Sequence, residues 1–410
     1  MQNTSRSPAR VAFRYPNFRL FMSARFLSVV ASEMISVAVG WQIYALTHRP
    51  LDLGLVGLAQ FAPGVALFLV AGHTADRLPR QSILRACYGA FALCSALLLA
   101  LSFRGLSSVW PIYAVLLANG TVRAFNGPAG QAFLPQLVKP EHFANAVTWG
   151  SSFFQTATIL GPMFGGLIYG WSGSPAPVYA CATVAYGLAL ILLAAIRVDV
   201  AVRKALEEPV GMILDGLRYI WRRKLILGCM SLDLFAVLLG GAVALLPVYA
   251  REILHTGPYG LGILRAAPGV GAVAVAILLA HYPLRRKAGF AMLYCVCGFG
   301  VFTIVFGLSH SIALSLIALM LTGAFDMVSV IVRSTLVQLT TPDEMRGRVS
   351  AVNMLFIGAS NEVGQFESGI TAQWFGAVPA VVLGGAGTIA IVLAWNWLFP
   401  SLRQVDKLGK

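Results

Sequence analysis

The chain has 410 residues, 58% of them hydrophobic and only 11% charged, with a formal net charge of +14. Soluble domains average about 25% charged residues, so composition excludes a water-soluble globule. The long apolar runs do not alternate with polar positions as a transmembrane β-barrel requires, and the basic excess is scattered over short connections rather than gathered into a nucleic-acid patch.

Twelve runs approach or exceed the roughly 20 residues that a spanning helix needs. The first, Phe18–Thr47, carries Arg25 and Glu33. Its polar, basic approach and its length do not fit a cleavable signal peptide. The second, Leu53–Thr74, contains Ala62-Pro63-Gly64-Val65. Spans three to six follow as Ile83–Leu101, Val109–Phe125 with Arg123, Ala146–Tyr169 and Pro177–Ile196.

A polar connection, 197–224, then separates two halves, 1–196 and 225–410. Within it Met212, Ile213, Leu217, Ile220 and Trp221 recur at helical spacing beside Asp215, Arg218, Arg222 and Arg223. This predicts an amphipathic helix lying on the inner membrane surface. The second half supplies Leu225–Ala250 with Asp233, Leu261–Ala280, Phe290–Leu308, Ile312–Arg333 with Asp326, Val349–Trp374 with Glu362 and Glu367, and Val378–Phe399.

The halves echo one another. Ala62-Pro63-Gly64-Val65 returns as Ala267-Pro268-Gly269-Val270, Gly57 as Gly262, and Gln136-Leu137-x-x-Pro140-Glu141 as Gln338-Leu339-x-x-Pro342-Asp343. A membrane protein of two similar halves can hold a site where they meet and rock one against the other. Only Arg49, Arg104 and Arg251 fall in the loops on one side of the membrane, while most other Lys and Arg fall on the opposite side. By the positive-inside rule both termini are cytoplasmic.

Charges inside a bilayer are costly and mark functional hypotheses. A carboxylate beside an arginine stays ionised, whereas one in an apolar cavity can take up a proton. Glu33 lies near the midplane. Asp233 and Asp326 either face each other, or Asp326 pairs with Arg333. Glu362 and Glu367, about 140° apart around their helix, cannot share a narrow face, so one is expected at a cavity and the other at a neighbouring helix. The alternative for any one charge is a structural ion pair. Cys87, Cys94, Cys181, Cys229, Cys295 and Cys297 fall in apolar spans as small packing residues. All six histidines sit at span ends or in loops, and no nucleophile elbow, zinc-protease motif or phosphate-binding loop appears. No enzyme, metal or cofactor is expected.

The segment Gly72-His73-Thr74-Ala75-Asp76-Arg77-Leu78-Pro79-Arg80 resembles the Gly-x-x-x-Asp-Arg-x-x-Arg signature of the major facilitator superfamily (MFS). It departs from the commonest form at Thr74, Pro79 and Gln81. Arg123-Ala-Phe-Asn-Gly127 is similar to the family's Arg-x-x-x-Gly element, and Gly161-Pro162-Met-Phe-Gly165-Gly166 to its antiporter-associated element. Ordinary small-residue helix packing explains glycines alone but not this conjunction. Trp41-Gln42-Ile43-Tyr44 and Thr341-Pro342-Asp343-Glu344-Met345-Arg346-Gly347-Arg348 look most like an enterobactin-exporter-like group of bacterial exporters.

The resemblance implies an all-α fold of twelve transmembrane helices in two pseudo-symmetric six-helix halves. It implies a cavity lined by spans one, four, seven and ten, with Arg123 as the partner for Glu33. It implies a proton-coupled exporter of a small organic molecule, siderophore- or drug-like, in a bacterial inner membrane. The expected partners are that molecule, protons and lipid, without nucleic acid, and the expected state is a monomer. Gly72, Asp76, Arg77 and Arg80 would serve gating, Asp76 meeting the N-terminus of span eleven near Val349. Gly161, Pro162, Gly165 and Gly166 would serve it on span five. An importer or lipid flippase on the same fold, or a non-transporting membrane sensor, are the alternatives.

Overall fold

A bilayer offers no water to backbone polar groups, so long apolar runs satisfy those groups within helices. The computed structural model describes residues 10–105, 108–197, 209–282 and 287–406, and every regular element among them is helical. After a short 3₁₀ turn come α1 (Pro16–Thr47), α2 (Pro50–Ala66), α3 (Phe68–Arg77), α4 (Arg80–Phe103), α5 (Trp110–Phe133), α6 (Phe143–Ser172) and α7 (Ala176–Ala194). The connection holds α8 (Pro209–Arg222). The remainder comprises α9 (Lys224–Leu239), α10 (Leu246–Val248), α11 (Gly257–His281), α12 (Ala288–Leu308), α13 (Ile312–Thr340), α14 (Asp343–Phe375), α15 (Ala377–Leu398) and α16 (Pro400–Arg403). Helix occupies each expected span, and eight segments among the described residues are long and apolar enough on their own to cross a bilayer.

Three boundaries differ from expectation. Span two is interrupted at a single residue: α2, which contains Pro63, stops at Ala66, and α3 restarts at Phe68. The second copy of the repeat, around Pro268, sits inside the unbroken α11. The surroundings of the two copies differ as well. A Cβ on Gly64 would meet nothing within 4 Å, whereas Gly323 of α13 abuts the Pro268 carbonyl and Gly271 abuts that of Met320. Span seven is also irregular. After α9 the chain passes Gly240–Gly241, a 3₁₀ turn at Ala242–Leu245, α10, and a π-helical turn at Tyr249–Ile253. Finally, α14 starts at Asp343 rather than near Val349, with Asp343 and Glu344 in its first turn. Those acids already complement the partial positive charge of that helix end.

By contacts the chain divides into two units, one of Met1–Ala38, Ala62–Leu106 and Trp110–Leu206, the other of Val39–Phe61, Ser107–Val109 and Glu207–Lys410. In the first, α4 packs on α5 and α7. Gln81 is buried, and its amide donates to the carbonyls of Leu193 at 2.9 Å and Ile196 at 2.7 Å. Arg85 donates to Ala194 O at 3.1 Å. Together they satisfy carbonyls that the end of α7 leaves open. Arg80 does the same for α5 by donating to Ala132 O at 2.7 Å.

The α6 glycines let α1 approach. A Cβ at Gly161 would lie 2.5 Å from Glu33 Cβ and 2.9 Å from Val30 O, and one at Gly165 would lie 2.9 Å from Met34 Cα. Gly127 has open space around it. Gly161→Ala should therefore cost about 1–3 kcal/mol through overpacking, and Gly127→Ala should be tolerated. Thermal unfolding of the two purified variants checks this; equal midpoints would show that α6 does not need the close contact.

Candidate transport site

The break after α9 opens a cavity of about 280 Å³ within the second unit. Gly240 and Gly241 let neighbours come close there. A Cβ at Gly240 would lie 2.5 Å from the Phe299 ring, and one at Gly241 would lie 2.9 Å from Ser368 Oγ and 3.0 Å from Gly364 O. Irregular backbone at membrane depth is tolerated where it is buried in protein or lines a cavity, and Gly240–Val243 line this one. Its apolar walls include Val237, Phe299, Phe306 and Leu319.

Asp233 of α9 and Asp326 and Arg333 of α13 all line the cavity. Arg333 forms an ion pair with Asp233, and both residues are buried. One alternative left open by spacing, a pairing of Asp326 with Arg333, is absent, because Arg333 is taken by Asp233. Asp326 and Arg333 are separated by two helical turns, about 10 Å along the axis. Asp326 makes no hydrogen bond or ion pair among the described residues.

The hydroxyls of the lining spend their donors locally, whereas Asn361 spends one of its two amide hydrogens. Thr303 donates to Phe299 O at 2.8 Å, Thr322 to Leu319 O at 2.7 Å, Ser360 to Ile357 O at 3.0 Å, and Asn361 also to Ile357 O at 2.8 Å. Their oxygens keep acceptor capacity. The cavity thus offers the Asp326 carboxylate, several further acceptors and amide donors of Asn361 and Gln365 against apolar walls, a lining suited to a polar molecule with an apolar body.

From α14 the cavity takes Ser360, Asn361 and Gln365; neither Glu362 nor Glu367 is among its lining residues. Glu362 accepts from Gln365 Nε2 at 3.1 Å, on the face where a Cβ at Gly57 would lie 3.1 Å from Glu362 O. Glu367 accepts from Thr371 Oγ1 at 2.8 Å. In the first unit Glu33 of α1 lies against α6, its Cβ 2.5 Å from where a Cβ on Gly161 would stand, and Arg123 is carried by α5. Gly161, Pro162, Gly165 and Gly166 are all buried. A Cβ at Gly72 would meet nothing within 4 Å. Arg77 is exposed. The Asp76 side chain, with those of Met212 and Ile213, lies outside the described residues.

Sequence reading missed two features. The irregular span seven had a signal in Gly240-Gly241 followed by Pro247. The second feature joins the C-terminal end of α1 to the π-helical turn, within the second unit. There the Tyr44 hydroxyl donates to Glu252 Oε1, and the Arg251 guanidinium lies 5.8 Å from the Trp41 ring centre.

The profile of a family described as transmembrane secretion effectors, a division of the MFS, matches residues 7–408. The chain belongs to that family. It is 27% identical to the enterobactin exporter EntS of Citrobacter koseri over 396 residues, which cover 95% of this chain and 93% of that one. It is also 27% identical to the enterobactin exporter of Escherichia coli O81 over 386 residues, covering 93% and 87%. Among solved structures, a bacterial homologue of the human lysosomal transporter Spinster superposes with a TM-score of 0.72 at 13% identity, covering 98% of this chain and 99% of that one. The nucleoside transporter NupG gives 0.71 at 14% identity, covering 93% and 99%. These likenesses show the MFS fold. The chain is a multi-pass membrane transporter, and its family and relatives are transporters rather than enzymes.

Proposed function

We propose that the chain is a proton-coupled exporter of a small organic molecule, siderophore- or drug-like, working by alternating access in a bacterial inner membrane with both termini cytoplasmic. The observation that carries this reading is the unpartnered Asp326 carboxylate on a cavity whose other acid, Asp233, is neutralised by Arg333. A carboxylate that changes charge between substrate-loaded and proton-loaded states can exchange one cargo for the other. Glu33, beside α6, is the corresponding acid of the first half. Residues 1–196 and 225–410 are the two moving halves, and 197–224 joins them. Gly72, Asp76, Arg77 and Arg80, together with Gly161–Gly166, are the conformational elements; Glu362 and Glu367 act on α14 outside the described cavity. The exporters among the relatives support outward movement.

Transport in inside-out vesicles with an imposed pH gradient and a panel of candidate compounds tests the proposal. Gradient-dependent accumulation of at least one compound is expected. Entry that stops at equal concentrations whatever the gradient would favour a uniporter or a flippase.

Alternating access also requires the contacts at the end of α1 to open. Tyr44→Phe combined with Glu252→Gln removes the hydrogen bond between α1 and the π-turn. In a cysteine-free background, Val243→Cys should then label faster with an impermeant maleimide from the extracytoplasmic side, by about tenfold for a loss of ~1.4 kcal/mol. An unchanged labelling rate would show that this contact does not hold the outer side shut.

A further inference from the structure

The helix of the connection, α8, is expected from sequence alone to lie on the membrane surface. The structure instead seats one of its faces on protein. Ile220 is fully buried in a cluster with Ile226, Met230, Val337, Val349 and Val352. A Cβ at Gly216 would lie 2.7 Å from Arg348 O. Asp215 pairs with Arg348 at 3.0 Å, and the Tyr219 hydroxyl donates to Thr340 O at 3.4 Å.

The face turned away is divided into two strips. At 100° per residue, Leu214, Leu217 and Trp221 form an apolar strip, and they remain 58%, 37% and 71% exposed. Arg218 and Arg222, one turn apart, form an exposed basic strip immediately beside it. Neither arginine has an acid partner among the described residues. The only acid of α8, Asp215, is turned to Arg348. An apolar strip bordered by unpaired cations matches one partner, the boundary between acyl chains and anionic headgroups.

We propose that α8 is a binding surface for anionic phospholipid: Leu214, Leu217 and Trp221 enter the acyl layer while Arg218 and Arg222 hold the headgroup phosphates. The docked face fixes the rotation of the helix, so the two strips meet the membrane together. Charge complementarity selects the lipid, because a zwitterionic headgroup returns little net attraction to two cations.

The test uses the full chain reconstituted in phosphatidylcholine vesicles containing 20 mol% brominated lipid, either phosphatidylglycerol or phosphatidylcholine. Bromine quenches nearby tryptophan, and subtraction of the Trp221→Phe signal isolates Trp221. Quenching is expected to be at least about threefold greater from brominated phosphatidylglycerol. Arg218→Gln combined with Arg222→Gln should remove the preference and leave the quenching by phosphatidylcholine. On the unaltered chain, raising salt to 1 M shrinks the screening length to about 3 Å and should also reduce the preference, which keeps the test valid if the double variant fails to fold. Equal quenching by the two lipids would overturn the proposal in favour of simple apolar contact. Quenching by neither would overturn it in favour of a protein cover such as a second copy of the chain.

Discussion

Asp326→Asn is expected to abolish proton-driven accumulation while leaving substrate binding detectable. Asp326 lines the cavity with no partner among the described residues, so an amide of nearly the same shape removes the charge without breaking an ion pair or opening a void. Asparagine cannot exchange a proton, and the coupled cycle stalls between its two loaded states. The loss in gradient-driven transport should exceed a hundredfold, equivalent to ~2.7 kcal/mol, while the affinity measured by direct binding should shift by less than tenfold. A variant that still concentrates substrate would move the coupling role to Glu33. Loss of binding together with transport would make Asp326 a substrate-holding group.

Arg333→Gln is expected to have the largest effect on stability. It leaves Asp233 as an uncompensated carboxylate in a buried site, and removing one member of a buried pair typically costs about 3–5 kcal/mol. The expected signs are low yield and early thermal unfolding. Adding Asp233→Asn to Arg333→Gln should recover most of the loss, because two neutral amides can hydrogen-bond where one charge cannot remain. A double variant no more stable than Arg333→Gln would show that Arg333 acts through packing rather than through its pairing with Asp233.

The spans were legible because a bilayer imposes length and apolarity on each segment separately, and those quantities are local. Trp41–Tyr44, Gly72–Arg80 and Gly161–Gly166 were legible as family patterns; that Gly161 and Gly165 are where α6 meets α1 is seen only in the structure. What escaped depended on neighbours. Pro63 and Pro268 stand in matching sequence, yet Gly323 closely faces only the second, and the interruption at Leu67 has no counterpart in α11. The partner of Arg333 could not be read from spacing, since Asp233 lies on another helix. The start of α14 was placed too late because its first turn is polar and extends beyond the apolar span. The amphipathic pattern of α8 was visible, but α8 has two apolar edges, and composition could not tell the one covered by α9 and α14 from the one left open.

The claim that proton movement is coupled to substrate movement is tested most directly inside sealed vesicles. The chain is reconstituted with a pH-sensitive dye in the lumen, and a transported compound is added outside with no pH gradient. The account predicts a substrate-dependent pH change that signals protons leaving as substrate enters, and its disappearance in Asp326→Asn. Substrate entry with no pH change in the unaltered protein would contradict it.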